Sequence, residues 1–461
     1  MTPKPERAKP RKNDVLELAI HDLHANGFGV GKCDGFAFFV EGALPGDRLR
    51  IQVLKVKSRY AYGKTLEILS PSPHRLPEGA ACPVTARCGG CQFQHADYAC
   101  QLAFKEKAVR EALVRIGGIA DPPVQAIVGA ENPFHYRNKA QFPAGIGPDG
   151  SFVMGFYSAR SHRIVPVTEC NIQRPACNAV LAAVRRAMAQ YPIPPYDEAT
   201  HTGLLRHVLA KTGENGETMA VLVLNGGELP HAQDWVKILS EAASTVLLNT
   251  HTAQTNAVLG PVYKTLYGSG YIHGQIGAVR YRISAASFFQ VNPAQTKLLY
   301  DHVRAHLATP VDTIVDAHTG IGGMALYVAD LARQVIGIET VQQAVHDAKH
   351  NAALNGISNA RFLCGTAEEV LPALLRDGRV DVLLLDPPRK GCSDTLLDAA
   401  LAAGIPKIIY VSCDPATLAR DVQRLCAAGD YRLAQVQPVD MFPMTGHVEC
   451  VALLWKNRIF N

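Results

Sequence analysis

Short apolar runs alternate with helix-like stretches through the last third of the chain, residues 286–461. The runs are Thr313–Val315, Val335–Ile338, Arg361–Leu363, Val382–Leu385 and Ile408–Val411, and Val341–Leu354 is one of the stretches between them. Strand and helix patterns that alternate in this way predict a doubly wound, Rossmann-like α/β sheet of parallel strands. Ligands of such sheets bind at the carboxyl ends of the strands, so the residues that follow each run are candidates for function.

Residues 14–70 show a different pattern, in which glycine and polar breaks separate short apolar runs. The runs are Val15–Leu18, Gly27–Gly31, Phe36–Val40, Arg48–Val56 and Lys64–Leu69. Five short strands joined by tight turns predict a small β-barrel. Residues 71–285 begin with a proline-rich linker and then show a mixed pattern, and we assign them to a central domain. Residues 1–13 are basic and proline-rich, which predicts a disordered arm that is either a solvated tail or a phosphate contact.

Composition narrows the functional classes. The chain has 461 residues, 48% hydrophobic and 19% charged, as in ordinary soluble proteins of about two to four domains. No apolar run reaches the roughly 18 residues of a membrane span, and the N-terminus has no apolar signal region. We therefore expect a cytoplasmic protein without membrane contact. In that compartment, 12 cysteines indicate metal binding or catalysis before disulfides, whereas the net charge of +5 excludes little.

The first apolar run of the last third ends in a glycine-rich segment, residues 316–323 (Asp-Ala-His-Thr-Gly-Ile-Gly-Gly). Glycines let the backbone approach a ligand closely, and Glu339, after the second run, can accept hydrogen bonds from both hydroxyls of a ribose. Folds that bind NAD, FAD or S-adenosylmethionine all use such a loop, and a turn without a ligand is an equally good interpretation of the loop alone. This segment is not a complete G-x-G-x-x-G, and no Gly-Lys-Ser/Thr follows its glycines. The stiff segment Asp386–Arg389, with two prolines at a strand edge, favours a methyltransferase.

Cys413 lies where the apolar run Ile408–Val411 stops and a helix pattern begins. A thiol at that position is near the positive N-terminus of a helix, which favours the nucleophilic thiolate. Asp386 and Glu449 are carboxylates at other predicted strand ends, so the three side chains together indicate covalent catalysis. Taken alone, Cys413 is better interpreted as a structural cysteine, since most buried cysteines behave as small hydrophobic residues.

Three cysteines lie close together in the sequence: Cys82, Cys88 and Cys91 have the spacing C-x5-C-x2-C. Cys170 is a candidate fourth ligand, far away along the chain. Four thiolates can hold either a zinc ion or an iron–sulfur cluster, and the spacing alone does not decide between them. Scattered free thiols are the alternative, which the closeness of the first three disfavours.

Together these segments resemble the S-adenosylmethionine-dependent RNA (uracil-5-)-methyltransferases, specifically those of 23S ribosomal RNA, over nearly the whole chain. Residues 27–31 and 43–47 resemble an OB-like TRAM barrel. Residues 287–292 match the cofactor-binding run of the family, and residues 385–391, 411–415 and 447–449 match its catalytic motifs. The resemblance implies S-adenosylmethionine as the methyl donor and RNA as the partner, and it implies no protein partner. The implied domains are the arm 1–13, the TRAM barrel 14–70, a central iron–sulfur and RNA-binding domain 71–285 and a methyltransferase domain 286–461.

The same resemblance implies roles for individual residues. Cys413 and Glu449 are the implied catalytic residues, and the implied ligands of a [4Fe–4S] cluster are Cys82, Cys88, Cys91 and Cys170. The implied cofactor-binding residues are Gln290, His318, Gly323, Glu339, Thr366 and Asp386. At His318 and Gly323 the chain departs from the family pattern, which usually has an aromatic and a polar residue at these two positions.

For this chemistry we expect Cys413 to add to C6 of uracil, which places electron density on C5 for methylation, and Glu449 to remove the C5 proton afterwards. The target uridine must first be extruded from any stack. The aromatic and basic run Phe134–Lys139 and the weaker Leu205–Val208 are candidates for RNA contact, with ordinary exposed strands as the alternative.

Three other functions fit parts of the sequence. The first is the same reaction on tRNA, although the TRAM barrel favours ribosomal RNA because the tRNA-specific relatives typically lack it. The second is a non-catalytic RNA-binding protein with a structural metal site. The third is an NAD-dependent oxidoreductase that uses the glycine-rich loop.

Overall fold

A computed structural model describes residues 9–307, 311–427 and 429–457, so most of the predicted basic arm, residues 1–8, lies outside the described residues. The chain divides into two compact units. The first comprises the residues up to Lys105 together with Ser158–Ser161 and Phe442–His447, and the second comprises Glu106–Tyr157, His162–Met441 and the residues from Val448 onwards. No helix in the described ranges is long and apolar enough to cross a membrane.

Five strands close the N-terminal barrel. They are β1 (Val15–His24), β2 (Phe28–Cys33), β3 (Phe36–Glu41), β4 (Arg48–Val56) and β5 (Tyr60–Ser70), in the spatial order β1–β2–β3–β5–β4. This confirms the predicted small β-barrel. β1 and β5 are longer than their apolar runs because polar residues there alternate with buried ones, such as Ile20 in β1 and Ala61 in β5.

The middle of the chain forms a second, mostly antiparallel sheet with helices. Its elements are α1 (Tyr98–Arg115), β6 (Lys139–Ile146), β7 (Phe152–Tyr157), β8 (Ile164–Pro166), α2 (Pro175–Gln190), β9 (Leu205–Thr212), β10 (Thr218–Leu224), α3 (Ala232–Leu239), β11 (Thr245–Thr250), β12 (Val262–Tyr267), β13 (Tyr271–Ile276) and β14 (Val279–Ser284). The sheet has the order β12–β11–β10–β9–β6–β7–β8, and β13 pairs with β14 in a separate hairpin. Residues 71–105 of the predicted central domain belong to the compact unit of the barrel.

The last third forms the α/β sheet. Its elements are α4 (Pro293–Ala305), β15 (Val311–Asp316), α5 (Gly323–Tyr327), a 3-10 helix (Ala329–Leu331), β16 (Ala332–Glu339), α6 (Gln342–Leu354), β17 (Ala360–Cys364), α7 (Ala367–Asp377), β18 (Val382–Leu385), α8 (Asp394–Ala403), β19 (Lys407–Ser412), α9 (Pro415–Ala427), β20 (Tyr431–Val439) and β21 (Glu449–Lys456).

The order of this sheet is β17–β16–β15–β18–β19–β21–β20. The first five strands are parallel, whereas β21 runs antiparallel to both β19 and β20. This confirms the predicted Rossmann-like fold. Every residue of β18 and β19 is buried, which explains why these strands appear as continuous apolar runs.

Candidate active site

Five side chains that the sequence analysis singled out lie at one edge of the α/β sheet. Asp316 ends β15 and Glu339 ends β16, while Asp386 follows β18 and Cys413 follows β19. Glu449 begins β21, and because that strand is antiparallel to β19, its first residue lies at the carboxyl end of β19. Strand direction thus brings together residues that are up to 133 positions apart in the chain.

A cleft of about 60 Å³ opens at this edge. Four of the residues implied for the cofactor line it, namely Gln290, His318, Gly323 and Asp386. The remaining walls are Ile276, Phe288, Phe289, Tyr300, Asp316, Thr319, Gly320, Ile321 and Met324. The cleft therefore joins the glycine-rich loop to the segment that carries Gln290.

The conformation of the glycine-rich loop depends on two glycines and on the side chain of Asp316. Gly320 and Gly322 have φ angles of +56° and +85°, in the left-handed region that favours glycine. The carboxylate of Asp316 accepts hydrogen bonds from the backbone N–H groups of His318 (3.4 Å) and Ala325 (3.1 Å). Burial raises the pKa of Asp316 to about 6. These contacts fix the conformation of the loop where it lines the cleft.

Glu339 and Thr366 are not among the residues that line the cleft. Glu339 contacts the loop, since its Oε2 accepts from the N–H of Gly320 (3.1 Å) and its Oε1 from the N–H of Val341 (2.8 Å). Oε1 also accepts from the hydroxyl of Thr340 (3.1 Å). A carboxylate has about four lone-pair sites, so one is left for a ligand hydroxyl, and a second becomes free if the Thr340 hydroxyl turns away. The hydroxyl of Thr366 instead caps α7, where it accepts from the N–H of Glu369 (3.3 Å).

The segment that carries Gln290 is held by the central sheet. Lys211, only 5% exposed, lies in β9, and its Nζ donates to the backbone carbonyls of Ser284 (2.8 Å), Ala285 (2.9 Å) and Ser287 (2.8 Å). The side-chain amide of Asn138 donates to the carbonyl of Gln290 (2.9 Å). Two polar residues far away in the sequence thus position one wall of the cleft.

His318 and Gly323 are the positions where the chain departs from the family pattern. The Nδ1 atom of His318 is buried without a hydrogen-bond partner, and burial lowers the pKa of the ring. His318 lines the cleft, so its ring is a candidate contact for a ligand there. At position 323, a Cβ would lie 2.9 Å from the hydroxyl of the buried Tyr300, so glycine leaves room for that tyrosine.

The two carboxylates beside Cys413 are held in a poorly solvated environment. Burial raises the pKa of Glu449 to about 8, with Asp386 adding to the effect and Arg389 opposing it. Burial also raises the pKa of Asp386 to about 7, with a further contribution from Asp316. Buried carboxyl groups of this kind take up and release protons near neutral pH.

The expectation that the position of Cys413 favours the thiolate is wrong. Burial, with Glu449 as the next cause, raises the pKa of its thiol to about 11. The following helix, α9, does not offset this, because the carboxylate of Asp414 already accepts the N–H groups of Ala416 (2.9 Å) and Thr417 (3.1 Å) at its N-terminus. The thiol must therefore lose its proton when it reacts.

Sequence reasoning missed three residues of this region. Tyr300 lies on the buried face of α4, where an aromatic residue looks like ordinary core. Arg389 lies within residues 385–391, a motif that pointed to Asp386 and to the two prolines but assigned no role to the arginine. Lys211 did leave a signal, a lysine inside an apolar strand pattern, because a lysine that is fully buried needs partners.

Three of the four candidate metal-ligating cysteines lie on one loop of the first compact unit. Cys82, Cys88 and Cys91 are half-buried in the first compact unit, where the N–H of Gly90 donates to the sulfur of Cys88 (3.4 Å) and the amide of Gln94 to that of Cys91 (3.3 Å). Hydrogen bonds to sulfur are a feature of iron–sulfur sites. The described ranges nevertheless contain no group of three or more His, Cys, Asp or Glu side chains placed to hold a metal ion, and Cys170 belongs to the second unit. The [4Fe–4S] cluster stays a prediction.

The two segments considered for RNA contact differ in exposure. Within Phe134–Lys139, Phe134 and His135 are exposed, whereas Tyr136 and Asn138 are buried and the two basic residues are half-buried. All of Leu205–Val208, in β9, is buried. Only the first segment therefore offers exposed side chains to an RNA.

Comparison with known proteins gives a consistent result. The model of the tRNA (uracil-5-)-methyltransferase family matches residues 271–457, and that of the TRAM domain matches residues 11–66. An uncharacterized RNA methyltransferase of Halalkalibacterium halodurans is 45% identical over 97% of this chain and 98% of its own length, and one of Gloeobacter violaceus is 43% identical over 97% of each. The crystal structure of Pyrococcus abyssi tRNA (uracil-54, C5)-methyltransferase in complex with S-adenosyl-L-homocysteine is 26% identical. It superposes with a TM-score of 0.75 over 95% of this chain and 100% of that one.

Proposed function

We propose that this chain, which belongs to the family of RNA (uracil-5-)-methyltransferases, makes 5-methyluridine in 23S ribosomal RNA through a covalent adduct of Cys413. The observation that carries the proposal is the meeting of a thiol, two buried carboxyl groups and a glycine-lined cleft at one sheet edge. A nucleophile beside groups that exchange protons near neutral pH is suited to covalent catalysis.

Cys413 provides the nucleophile. C5 of uracil is a poor nucleophile, so the ring must be activated before it can take a methyl group. The sulfur forms a bond to C6, and the electron pair of the C5=C6 double bond moves toward C5 as an enolate. Because the pKa of the thiol is about 11, its proton passes to the carboxylate of Asp386 as the bond forms, which leaves Glu449 ionised for the later step.

Glu449 completes the reaction. After methylation, C5 carries both the new methyl group and its original proton. The carboxylate of Glu449 takes that proton, the C5=C6 double bond forms again, and the thiolate of Cys413 leaves C6. The pKa of about 8 makes Glu449 a stronger base than an ordinary carboxylate.

Bound S-adenosylmethionine supplies an electrophilic methyl group on its sulfonium. The residues present fit this cofactor. The buried Nδ1 of His318 has no hydrogen-bond partner within the protein. The space beside Gly320 is empty, since a Cβ there would meet nothing within 4 Å. Gln290, His318, Gly323 and Asp386 would contact the cofactor in the cleft, and Glu339 would accept hydrogen bonds from its ribose. Thr366 is the weakest of the proposed contacts, since its hydroxyl already caps α7.

The four-cysteine cluster has no part in these steps. We assign Cys82, Cys88, Cys91 and Cys170 as ligands of a [4Fe–4S] cluster, on the support of their spacing and of the N–H···S bonds at Cys88 and Cys91. The cluster would hold the loop of residues 82–91 in place.

The RNA class is the finer part of the proposal. The TRAM barrel was taken to favour ribosomal RNA over tRNA. The Pyrococcus abyssi enzyme, named for tRNA, superposes on 95% of this chain, which includes most of the barrel. The barrel is therefore compatible with both RNA classes, and tRNA is the second candidate substrate.

The decisive experiment uses RNA that contains 5-fluorouridine, because fluorine at C5 blocks the final proton removal. With S-adenosylmethionine and fragments of 23S ribosomal RNA, we expect a protein–RNA complex that survives denaturation and is absent with Cys413→Ser. The matched control is Cys364→Ser, which changes an exposed cysteine at the end of β17.

A complex with tRNA transcripts alone would identify tRNA as the substrate. No complex with either RNA, despite intact cofactor binding, would reject the mechanism. Binding of NAD instead of S-adenosylmethionine would favour the oxidoreductase, and full cellular function of Cys413→Ala would favour a non-catalytic RNA-binding protein.

A further inference from the structure

A second cavity, of about 400 Å³, lies in the central sheet at the opposite end of β6 and β9 from the methyl-transfer cleft. Its wall is rich in aromatic and charged side chains, among them Tyr157, His162, Tyr196, Glu198, Arg206 and His207. Its volume is within the range of small-molecule sites, about 300–1,000 Å³.

Three of these side chains form one fixed cluster. The ring of Tyr157 stacks on that of His162, with centroids 5.3 Å apart and planes at 29°. The carboxylate of Glu198 accepts a hydrogen bond from the hydroxyl of Tyr157 (3.1 Å) and contacts Nδ1 of His162 (2.6 Å). The cluster therefore presents an aromatic pair beside a carboxylate that still has lone pairs to offer.

Two neighbours in the wall carry unpartnered polar atoms. Arg206 is 5% exposed, and its Nη1 donates to two backbone carbonyls, but its Nε has no hydrogen-bond partner. His207 is 8% exposed; its Nε2 lies 3.3 Å from the hydroxyl of Tyr157, but its Nδ1 has no partner. Buried polar atoms without a partner are rare in folded proteins, so two of them in one cavity wall point to a ligand that interacts with these side chains.

The chemistry of the wall identifies the class of ligand. Arg163 and Arg206 are balanced by Asp197 and Glu198, which disfavours an isolated phosphate or another strongly charged group. Across the described part of the chain, no set of three metal-ligating side chains is arranged for an ion, which disfavours a metal at His162, Glu198 and His207. A flat ligand with apolar faces and with both donors and acceptors at its edge fits the aromatic pair and the mixed polar groups, and a nucleobase has these properties.

The position of the cavity connects it with the RNA substrate. β9 carries His207 at the cavity and Lys211 at the segment of Gln290, four residues further along. At about 3.3 Å per residue, His207 and Lys211 are about 13 Å apart along the strand, so the cavity and the segment that Lys211 holds lie in the same part of the molecule. We propose that this cavity binds an unpaired base of the substrate RNA, within a few nucleotides of the target uridine. This inference rests on the proposed function and adds to it a site of sequence recognition.

The test is a double-mutant cycle between protein and RNA. The protein change is Glu198→Gln, which keeps the shape of the side chain and removes its charge. The matched control is Glu241→Gln, an exposed residue paired with Arg186 at 2.6 Å. The RNA is the fragment that wild type methylates, with each nucleotide near the target uridine replaced in turn by an abasic one.

We expect Glu198→Gln to raise KM for the RNA about tenfold, the equivalent of 1.4 kcal/mol, without changing kcat or the affinity for S-adenosylhomocysteine. In wild type, an abasic nucleotide at one position of the RNA should raise KM by a similar factor. In Glu198→Gln, the same abasic RNA should raise KM little further. Equal effects of that abasic position in both proteins, or an unchanged KM for Glu198→Gln, would overturn the inference. Failure of wild type to methylate any RNA would reject the proposed function itself, so the two failures are distinguishable.

Discussion

Cys413 and Glu449 occupy neighbouring antiparallel strand ends, after β19 and at the start of β21, and the carboxyl group of Glu449 raises the pKa of the Cys413 thiol. Two adjacent negative charges are unfavourable in a buried site, so the thiolate and the Glu449 carboxylate are not stable side by side. A proton that leaves the sulfur therefore remains close by, available when the sulfur departs. The nucleophile and the base act as one coupled unit.

Replacement of Glu449 by glutamine separates the two halves of the reaction. Glutamine keeps the shape of the side chain but cannot take the C5 proton, so the methylated adduct should accumulate on unsubstituted RNA. Loss of a general base typically costs about 100- to 10,000-fold in rate. Denaturing gels should show the RNA–protein complex with Glu449→Gln and none with the Cys413→Ser, Glu449→Gln double variant. Rapid turnover by Glu449→Gln would remove Glu449 as the base.

The rate should rise with pH, because only the ionised form of Glu449 can accept a proton and its pKa is about 8. Asp386 is one cause of that raised pKa, so Asp386→Asn should lower it and move the rising limb of the pH profile to lower pH. Single-turnover rates at saturating cofactor, measured from pH 6 to 9, give the midpoint. A midpoint that stays in place or moves to higher pH would contradict the assigned coupling.

Stability provides an independent measure of the same coupling. The pKa of Glu449 is about 8 in the folded chain, whereas the ordinary pKa of a glutamate is 4.5, so folding favours the protonated form. Its contribution to stability is complete below pH 4.5 and is lost as the pH rises through about 8. The free energy of unfolding of wild type should therefore fall relative to that of Glu449→Gln between pH 5 and 8. One pKa unit corresponds to about 1.4 kcal/mol, and parallel curves for the two proteins would contradict the burial of this carboxyl group.

The sheet edge was predictable because its information is local. β18 and β19 are buried along their whole length, so each appears in the sequence as an unbroken apolar run that ends at a polar residue. Parallel strands bring such ends together whatever the loops between them do. The positions of Asp386 and Cys413 followed from this pattern alone.

Protonation states and supporting contacts were not predictable in this way. The state of Cys413 depends on burial and on the cap that Asp414 places on α9, and both need the folded chain. Lys211 acts on a segment more than 70 residues away, and Tyr300 meets Gly323 only through the packing of α4. Contacts between distant segments leave no periodic trace in the sequence.

The cysteine assignment predicts a measurable cofactor. Anaerobically purified wild type should contain about four iron and four sulfide per chain, with a broad absorption band that dithionite bleaches. Cys88→Ser should lose most of the iron, whereas Cys33→Ser, at a barrel cysteine outside the spacing motif, should keep it. Stoichiometric zinc without sulfide would replace the cluster by a zinc site, and no metal in wild type would reject the assignment.

Lys211 should control cofactor affinity without touching the cofactor. Lys211→Met removes three hydrogen bonds to the segment of Ser284–Ser287, so Gln290 loses its support on one side. Each lost bond to a buried carbonyl is worth about 1 kcal/mol, part of which should appear in binding. We expect KM for S-adenosylmethionine to rise at least about tenfold while kcat at saturation changes little. Calorimetry with S-adenosylhomocysteine should show the same loss of affinity.

Lys297→Met, at an exposed lysine paired with Asp301 on α4, is the matched control for Lys211→Met. A fall in melting temperature with an unchanged KM would show that Lys211 stabilises the fold and does not position the cleft.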